Sequence, residues 1–247
     1  MNASTASCRR RRPRGRGFTL VELLVTVSIL IVLAAVLTVM LRSVKSSAQR
    51  ATCLSRLREV CGMLLGEAVE NNGRVQAFQG GSGGFDYRPY FIIRDQLGLP
   101  KDPYDAHYSA MRDLMFCPSA PDPTTPHWNS YGVNFTKSEV AGAEWVQEKI
   151  QDSNGNNATV SSLAISTVTS PQRYVLMADS SQASGQQVFR IVGSDRIGLR
   201  HGGKANACFL DGSAQSLSIS ELGALGFQNA YDNRTDPPTS VSLPKNP

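Results

Sequence analysis

The most prominent apolar stretch of the chain is an unbroken run over residues 18–41, close to the N-terminus. It contains neither Gly nor Pro, and Glu22 is its single charged residue. At about 1.5 Å per residue, a helix of this length measures roughly 36 Å, enough to cross a hydrocarbon core of about 30 Å. The pattern therefore predicts a transmembrane helix over residues 18–41.

Beyond this run the apolar positions recur every third or fourth residue, which is typical of an amphipathic helix. The predicted apolar stripe consists of Leu54, Leu57, Cys61, Leu64 or Leu65, and Ala68. Asn71-Asn72-Gly73 marks the end of the pattern, because Asn and Gly commonly terminate helices. We therefore expect an amphipathic continuation of the helix over residues 42–72, with a sheet covering its stripe.

Residues 73–227 alternate between short apolar segments and loops, which favours an α+β head. Apolar segments over 173–179 and 187–192 predict strands, because clusters of Ser, Gly and Gln bound them. Residues 138–150 predict a short helix with Ser138 as its cap. The expected fold class is α+β, with the long N-terminal helix packed on a C-terminal antiparallel sheet.

The strongest turn signal of the head is Asp211-Gly212, which stands between two alternating runs. Asp-Gly favours a tight β-hairpin because both residues tolerate positive φ, so residues 204–219 predict a hairpin. After Phe227 the chain is polar and rich in Pro, and residues 228–247 predict a loose tail.

Positive charge is concentrated ahead of the apolar run. The chain has 25 Lys and Arg, 20 Asp and Glu and a formal charge of +5 at pH 7. Six Arg and no acidic residue lie in residues 1–17, which leaves 19 basic against 20 acidic residues in the rest. The body has no basic excess for neutralising phosphates, so no nucleic-acid partner is expected for it. The same asymmetry predicts a single-pass protein with a cytoplasmic N-terminus and an exported head.

The junction between the basic leader and the apolar run carries a specific motif. It reads Arg16-Gly17-Phe18-Thr19-Leu20-Val21-Glu22 and leads directly into the apolar helix. This string resembles the processing site of type IV prepilins and type II secretion pseudopilins. The resemblance implies that a prepilin peptidase removes residues 1–17 by cleaving between Gly17 and Phe18, and then N-methylates Phe18. It also implies that Glu22 pairs with the Phe18 ammonium of a neighbouring subunit during assembly.

The resemblance implies a pilin-like fold and a structural role in a type IV pilus-like or type II secretion pseudopilus filament. The implied partners are the prepilin peptidase/methyltransferase, copies of this chain or other pilins and pseudopilins, the inner-membrane assembly platform, and membrane lipid before assembly. The implied location is the bacterial inner membrane, with the head exported to the periplasm, and then the filament. The sequence leaves open a pilus, a secretion pseudopilus or a DNA-uptake system, and a major or minor subunit.

A second resemblance lies in the C-terminal part of the chain. Nine residues separate His201 from Asp211-Gly212, and this spacing is similar to the H-X9-DG domain (residues 201–212 here) found behind prepilin-type N-termini in some bacteria. Further strings similar to that family lie at 51–58 (Ala-Thr-Cys-Leu-Ser-Arg-Leu-Arg), 116–119 (Phe-Cys-Pro-Ser), 130–134 (Ser-Tyr-Gly-Val-Asn), 177–180 (Met-Ala-Asp-Ser) and 200–203 (Arg-His-Gly-Gly). The family often has a second His directly after Asp-Gly, where this chain has Ser213.

One interpretation places His201 in a metal site together with Asp179 and Asp211. Ca²⁺ takes six to eight oxygen ligands, and the sequence does not nominate that many. The sequence therefore favours a structural role, in which His201 hydrogen-bonds the backbone at the entrance to the hairpin and Asp211 and Gly212 form its turn. No metal and no cofactor are expected.

Four cysteines of the body, Cys53, Cys61, Cys117 and Cys208, allow disulfides if the head is exported to an oxidising compartment. Cys53 and Cys61 lie on one predicted helix about 12 Å apart, too far to bridge each other. This leaves Cys53–Cys117 with Cys61–Cys208, or the exchanged pairing. A plain buried thiol is an equal alternative for Cys208.

The rival class is a membrane-anchored periplasmic enzyme or ligand-binding domain with an uncleaved N-terminal anchor. Residues 80–84 satisfy the letters of the Gly-x-Ser-x-Gly nucleophile motif, but that motif needs a buried strand before it and a helix after it. We predict a flexible loop there. With three His and no Cys-x-x-Cys or paired-carboxylate spacing, the sequence indicates no active site, so the chain is not expected to be an enzyme.

Overall fold

The structure is a computed structural model. It describes residues 18–81, 84–86, 88–100, 108–122, 129–151, 157–192 and 196–244. The chain divides into two compact units, residues 1–45 and 46–247. The predicted leader over residues 1–17 lies outside the described residues.

The described elements form an α+β fold, which confirms the predicted fold class. The helices are α1 (Leu20–Glu70), α2 (Arg88–Gln96), α3 (Tyr108–Met115) and α4 (Ile219–Ala224). The strands are β1 (Arg74–Gly81), β2 (Gly84–Asp86), β3 (Gly132–Asn134), β4 (Val146–Gln151), β5 (Asn157–Ala164), β6 (Val175–Ala178), β7 (Ser180–Ser181), β8 (Arg190–Ile191), β9 (Arg196–Leu199), β10 (Ala205–Phe209), β11 (Ala214–Leu217), β12 (Asn229–Asp232) and β13 (Thr239–Ser242).

In the first unit, the beginning of α1 presents apolar side chains on its whole surface. Every described side chain of residues 18–45 is exposed, including those of Leu20, Ile31 and Val44. Among the described residues, α1 is the one helix that is long and apolar enough to cross a membrane. Because so large an apolar surface is unfavourable in water, this part of α1 requires lipid or another protein around it.

In the second unit, α1 packs one face into the core of the head. This buried face consists of Cys53, Leu57, Val60, Cys61, Leu64 and Ala68. The spacing agrees with the predicted stripe, but the face begins at Cys53, whereas Leu54 is only half-buried. A cysteine thiol therefore occupies the first core position of this helix segment.

The backbone conformation after Glu70 ends α1. Asn72 and Gly73 both take positive φ, 54° and 73°, which the α-helix cannot accommodate. The N–H of Gly73 donates to the carbonyl of Ala68 (2.7 Å), and the Asn71 side-chain amide donates to the carbonyl of Glu67 (3.0 Å). These bonds satisfy carbonyls of the last turn that have no partner within the helix.

Three sheets build the rest of the head as far as the structure describes it. The first is antiparallel and has the strand order β2-β1-β5-β4. The second has the order β11-β10-β6-β3-β8 and is antiparallel except between β3 and β8. The third has the order β13-β12-β9-β7, with β12 parallel to β9. The antiparallel pairing predicted for the head is therefore present, together with the parallel pairs β3–β8 and β9–β12 in the two mixed sheets.

Strand β10 separates two clusters of buried apolar side chains. Cys208 belongs to the cluster that includes the buried face of α1 and residues of α2, α3 and β6. Its neighbours Ala207 and Phe209 belong to the second cluster, which includes Leu222 of α4 and Ala230 of β12. Because successive side chains of a strand point to opposite faces, β10 is buried on both sides. It is a central strand of the head.

The predicted hairpin over residues 204–219 is present as β10 and β11, with Ala205 opposite Leu217 and Cys208 opposite Ala214. The turn differs from the predicted one, in which both Asp211 and Gly212 could take positive φ, because only Gly212 does so (83°). The Asp211 carboxylate accepts hydrogen bonds from the N–H (2.9 Å) and hydroxyl (2.7 Å) of Ser213. Asp211 and Gly212 therefore have the predicted positions in a turn.

Two predicted local structures of the head are wrong. The expected helix over residues 138–150 is replaced by a turn, in which Ser138 pairs with Ala143, and by strand β4. Gly142 takes a φ of 65° there, which interrupts a helix. In the predicted glycine-rich loop, Gly80 and Gly81 belong to β1 and pair with Phe85 and Gly84 of β2, while residues 82–83 lie outside the described residues.

The expected loose tail is also wrong over most of its length. Residues 229–232 and 239–242 form β12 and β13, which pair with each other and, through β12, with β9. Ala230 and Leu243 are buried in the second apolar cluster. Backbone pairing and two buried apolar side chains therefore anchor a segment whose composition is mostly polar.

Candidate functional site

The start of α1 contains a reciprocal pair of hydrogen bonds between Thr19 and Glu22. The N–H and hydroxyl of Thr19 each donate to the Glu22 carboxylate (2.9 Å), and the N–H of Glu22 donates to the Thr19 hydroxyl (3.2 Å). This is a capping box, which satisfies N–H groups that lack partners in the first turn of a helix. Phe18 and Glu22 are both exposed, and Gly17 lies outside the described residues.

A second arrangement lies inside the head, where Cys53, Cys117, Asp179 and His201 meet. Their sulfur, oxygen and nitrogen atoms all lie within 4.8 Å of one another. The Cys53 thiol donates to Oδ1 of Asp179 (3.2 Å). Nε2 of His201 lies 3.2 Å from Oδ2 of Asp179 and 3.3 Å from Sγ of Cys117. We call these four residues the buried cluster.

Four separate segments bring the buried cluster together. Cys53 lies on α1, and Cys117 follows the end of α3. Asp179 lies between β6 and β7, and His201 follows β9. All four side chains are buried, with residue exposures between 0% and 5%. The site therefore depends on the tertiary packing of helix and strands and not on any short motif.

The protein around the cluster holds each of its members in place. The N–H of Asn206 donates to Oδ2 of Asp179 (2.9 Å), and the hydroxyl of Tyr131 donates to Sγ of Cys53 (3.4 Å). The N–H of Cys117 donates to Oε1 of Gln187 (3.0 Å), which fixes its backbone. The four side chains are therefore pre-oriented towards one point.

His201 is positioned by a tight turn. Gly202 and Gly203 both take positive φ (66° and 82°), which side chains with a Cβ rarely adopt. The N–H of His201 donates to the carbonyl of Lys204 across this turn (3.0 Å). The backbone of His201 thus has the predicted turn contact, but its ring does not hydrogen-bond the backbone as expected: Nε2 faces Asp179 and Cys117.

The electrostatics of the cluster depend on its close contacts. Burial disfavours a charged imidazole, but hydrogen bonds to Asp179 and Cys117 and the charges of both outweigh it and raise the pKa of His201 to about 10. Burial also disfavours a thiolate, yet hydrogen bonds with Cys53 and His201 lower the pKa of Cys117 to about 7. Burial, the hydrogen bond with Cys117 and the charge of Asp179 raise the pKa of Cys53.

The cluster contains Cys, His and Asp but lacks the geometry of a nucleophilic triad. In a triad, one ring nitrogen of the histidine contacts the nucleophile and the other contacts the carboxylate. Here the same nitrogen, Nε2 of His201, lies against both Cys117 and Asp179. Four donor atoms that converge on one point are instead the arrangement found around a metal ion.

The two remaining body cysteines form a disulfide. Cys61 of α1 is bonded to Cys208 of β10, across 147 residues of chain. Cys53 and Cys117 are free thiols. Of the pairings that the sequence left open, the structure contains Cys61–Cys208 and brings Cys53 and Cys117 together without a bond.

The sequence predicted that His201 and Asp179 could be neighbours, but it placed Asp211 with them. It considered Cys53 and Cys117 only as disulfide partners. Asp211 is exposed and closes the hairpin turn with Ser213. The sequence does contain a signal that points to all four members of the buried cluster. Each of four strings on which the expected H-X9-DG resemblance was based, at 51–58, 116–119, 177–180 and 200–203, contains one member of the cluster.

Comparison with known proteins identifies the N-terminal segment. Residues 12–38 match the family model described as the prokaryotic N-terminal methylation motif. The match covers the junction between leader and α1, together with the capping box of Thr19 and Glu22, and supports a pilin- or pseudopilin-like chain. No curated protein and no solved structure matched the chain.

Proposed function

We propose that this chain is a structural subunit of a type IV pilus-like or type II secretion pseudopilus filament. The observation that carries the proposal is the methylation motif at residues 12–38. A prepilin peptidase/methyltransferase cleaves between Gly17 and Phe18 and methylates the new amino group of Phe18. The role of the mature chain is assembly and not catalysis.

The exposed apolar surface of α1 supports assembly through this helix. Residues 18–41 rest in the inner membrane first, with the N-terminus in the cytoplasm and the head in the periplasm, because positive charge stays on the cytoplasmic side. Copies of this chain or of other pilins and pseudopilins, brought together at the inner-membrane assembly platform, then replace lipid around α1. The apolar side chains, which are exposed on the chain alone, are thus covered in both environments.

Glu22 gives the assembly its register. A carboxylate at membrane depth is costly unless it has a partner. The Phe18 ammonium of a neighbouring subunit supplies the opposite charge once the leader is removed, and both charges are then paired only in the assembled filament. The spacing of His201 and Asp211-Gly212 supports placing the head with the H-X9-DG proteins.

Mass spectrometry of the membrane fraction tests the processing step. The expected N-terminal peptide begins at Phe18 and is heavier by one methyl group. Cells that lack the prepilin peptidase provide the control, in which the peptide retains the leader. A chain that keeps its leader in cells with an active peptidase contradicts the proposal.

Exchange of the anchor distinguishes a filament subunit from the alternative function, a tethered enzyme or ligand-binding domain. Residues 18–41 are replaced by an unrelated transmembrane helix of equal length, and the sheared filament fraction is examined for the chain. We expect loss from the filament fraction while the head stays in the membrane. A chain that functions equally well with the foreign anchor favours the tethered domain.

A further inference from the structure

We propose that Cys53, Cys117, Asp179 and His201 bind a structural zinc ion in the head. The proposal is independent of the filament function, because it rests on the buried cluster and not on the N-terminal motif. It revises the expectation, made from the sequence, that the chain has no metal site.

The distances within the cluster fit a tetrahedral ion. Zinc lies about 2.3 Å from a cysteine sulfur and about 2.0–2.2 Å from a histidine nitrogen or carboxylate oxygen, so ligand atoms around it are roughly 3.3–3.8 Å apart. Sγ of Cys53 lies 3.2 Å from Oδ1 of Asp179, and Nε2 of His201 lies 3.2 Å from Oδ2 of Asp179 and 3.3 Å from Sγ of Cys117. All the ligand atoms lie within 4.8 Å of one another. Contraction of the widest separations by about 1 Å, with one Asp179 oxygen turned towards the ion, therefore converts the cluster into a coordination sphere.

The ligand types select zinc over the hard cations. Two sulfurs and one imidazole are poor ligands for Ca²⁺ and Mg²⁺, which prefer oxygen. Four protein ligands complete the tetrahedron and leave no position for water or substrate, which is the pattern of a structural site. The ion would join α1 to three segments of the head that are distant in sequence.

The charges of the site would balance once a dication is bound. Two thiolates and one carboxylate carry three negative charges, and burying them without compensation is very costly. Zn²⁺ and the guanidinium of Arg200, which interacts electrostatically with Asp179 and both cysteines, balance these charges. Binding would displace protons from the thiols and the imidazole, as metal sites generally do.

Hydrogen bonds outside the cluster match those that orient metal ligands. The Asn206 N–H holds the Asp179 carboxylate, the Tyr131 hydroxyl contacts Sγ of Cys53, and the N–H of Ser119 donates to Sγ of Cys117 (3.4 Å). Such contacts fix the ligand atoms and tune the affinity for the ion.

Metal analysis of the full chain, purified in detergent without chelators, tests the site. We expect one zinc per chain, and alkylation mapped peptide by peptide should leave Cys53 and Cys117 unmodified until a chelator is added. Cys117→Ala and His201→Ala should lose the zinc, whereas His201→Cys, which restores four ligands, should retain it. The double variant Cys61→Ala/Cys208→Ala removes the other cysteine pair and should keep one zinc.

Cobalt provides a second measurement on the unaltered chain in case the variants fail to fold. Exchange of the bound ion for Co²⁺ should give the strong visible absorption of a tetrahedral site and a sulfur-to-cobalt charge-transfer band. A peptide in which Cys53 is disulfide-linked to Cys117, in protein without zinc, overturns the proposal. Free alkylation of both thiols in folded protein supplied with zinc overturns it equally.

Discussion

Thr19 and Glu22 hydrogen-bond each other reciprocally at the first turn of α1. The Glu22 carboxylate, which we propose to pair with a neighbouring subunit, therefore already caps the helix of its own chain. Glu22 accepts two hydrogen bonds from Thr19, and a carboxylate can accept more than two. The two roles are compatible, but they respond differently to substitution.

Glu22→Gln and Glu22→Ala separate these roles. Gln can replace Glu in a capping box, whereas Ala cannot, and neither carries a negative charge. We expect cleavage after Gly17 to persist in both variants and incorporation into filaments to fall strongly in both, because the charge is lost. Quantification of the chain in sheared filaments measures the effect. Normal incorporation of Glu22→Gln with a defect in Glu22→Ala would instead assign the role to helix capping.

The Cys61–Cys208 disulfide should contribute a large part of the stability of the head. Disulfides of exported domains typically stabilise them by about 2–5 kcal/mol, and this one joins α1 to the central strand β10. We expect Cys61→Ala/Cys208→Ala to unfold at lower denaturant concentration than the parent chain. Adding reductant to the parent should lower its midpoint towards that of the variant, and an unchanged midpoint in both tests contradicts the expectation.

Tyr131→Phe should weaken the proposed zinc site without disturbing the fold. The substitution removes the hydroxyl that donates to Sγ of Cys53 and retains the buried ring. Loss of such a contact around a metal ligand typically costs about 10–100-fold in affinity. Competition with a coloured chelator measures the zinc affinity of the variant and of the parent chain.

Tyr174→Phe is the matched control for that experiment. Tyr174 is buried to the same degree, and its hydroxyl donates to the carbonyl of Asn134 (2.7 Å). Its hydroxyl also accepts a hydrogen bond from Nε1 of Trp145. We therefore expect this variant to lose about 1–3 kcal/mol of stability and no zinc affinity. Equal zinc affinities in both variants argue against a role of Tyr131 at the site.

Leu243→Ala should destabilise the head. Leu243 is 5% exposed and belongs to the second apolar cluster, and truncating a buried leucine costs about 2–5 kcal/mol. Ser242→Ala, at an exposed position of β13, is the control and should leave the free energy of unfolding nearly unchanged. Denaturant titration measures the free energy of unfolding of both variants. Equal values for Leu243→Ala and Ser242→Ala would indicate that the C-terminal segment is not packed.

The helix was predictable because its signals are continuous along the chain. The apolar run at residues 18–41 and the buried face from Cys53 to Ala68 both repeat within a few residues, and the match at residues 12–38 covers the motif itself. The hairpin was predictable from Asp211-Gly212, although not its exact turn. Each of these features is local in sequence.

The buried cluster and the C-terminal strands were not predictable by the same means. Cys53, Cys117, Asp179 and His201 come from four segments, and no periodicity relates their positions. In the C-terminal segment, the pairing of β12 with β9 and β13 and the burial of Ala230 and Leu243 outweigh a polar composition. Both features follow from contacts between distant segments, which spacing along the chain does not encode.

The covalent link between Cys61 and Cys208 has a mechanical consequence if the chain works in a filament. Tension that enters through α1 passes directly into β10, the strand buried on both faces. Apolar contacts can slide past one another under a sustained pull, but a sulfur–sulfur bond does not. The helix and the head should therefore resist being drawn apart for as long as that bond stays oxidised.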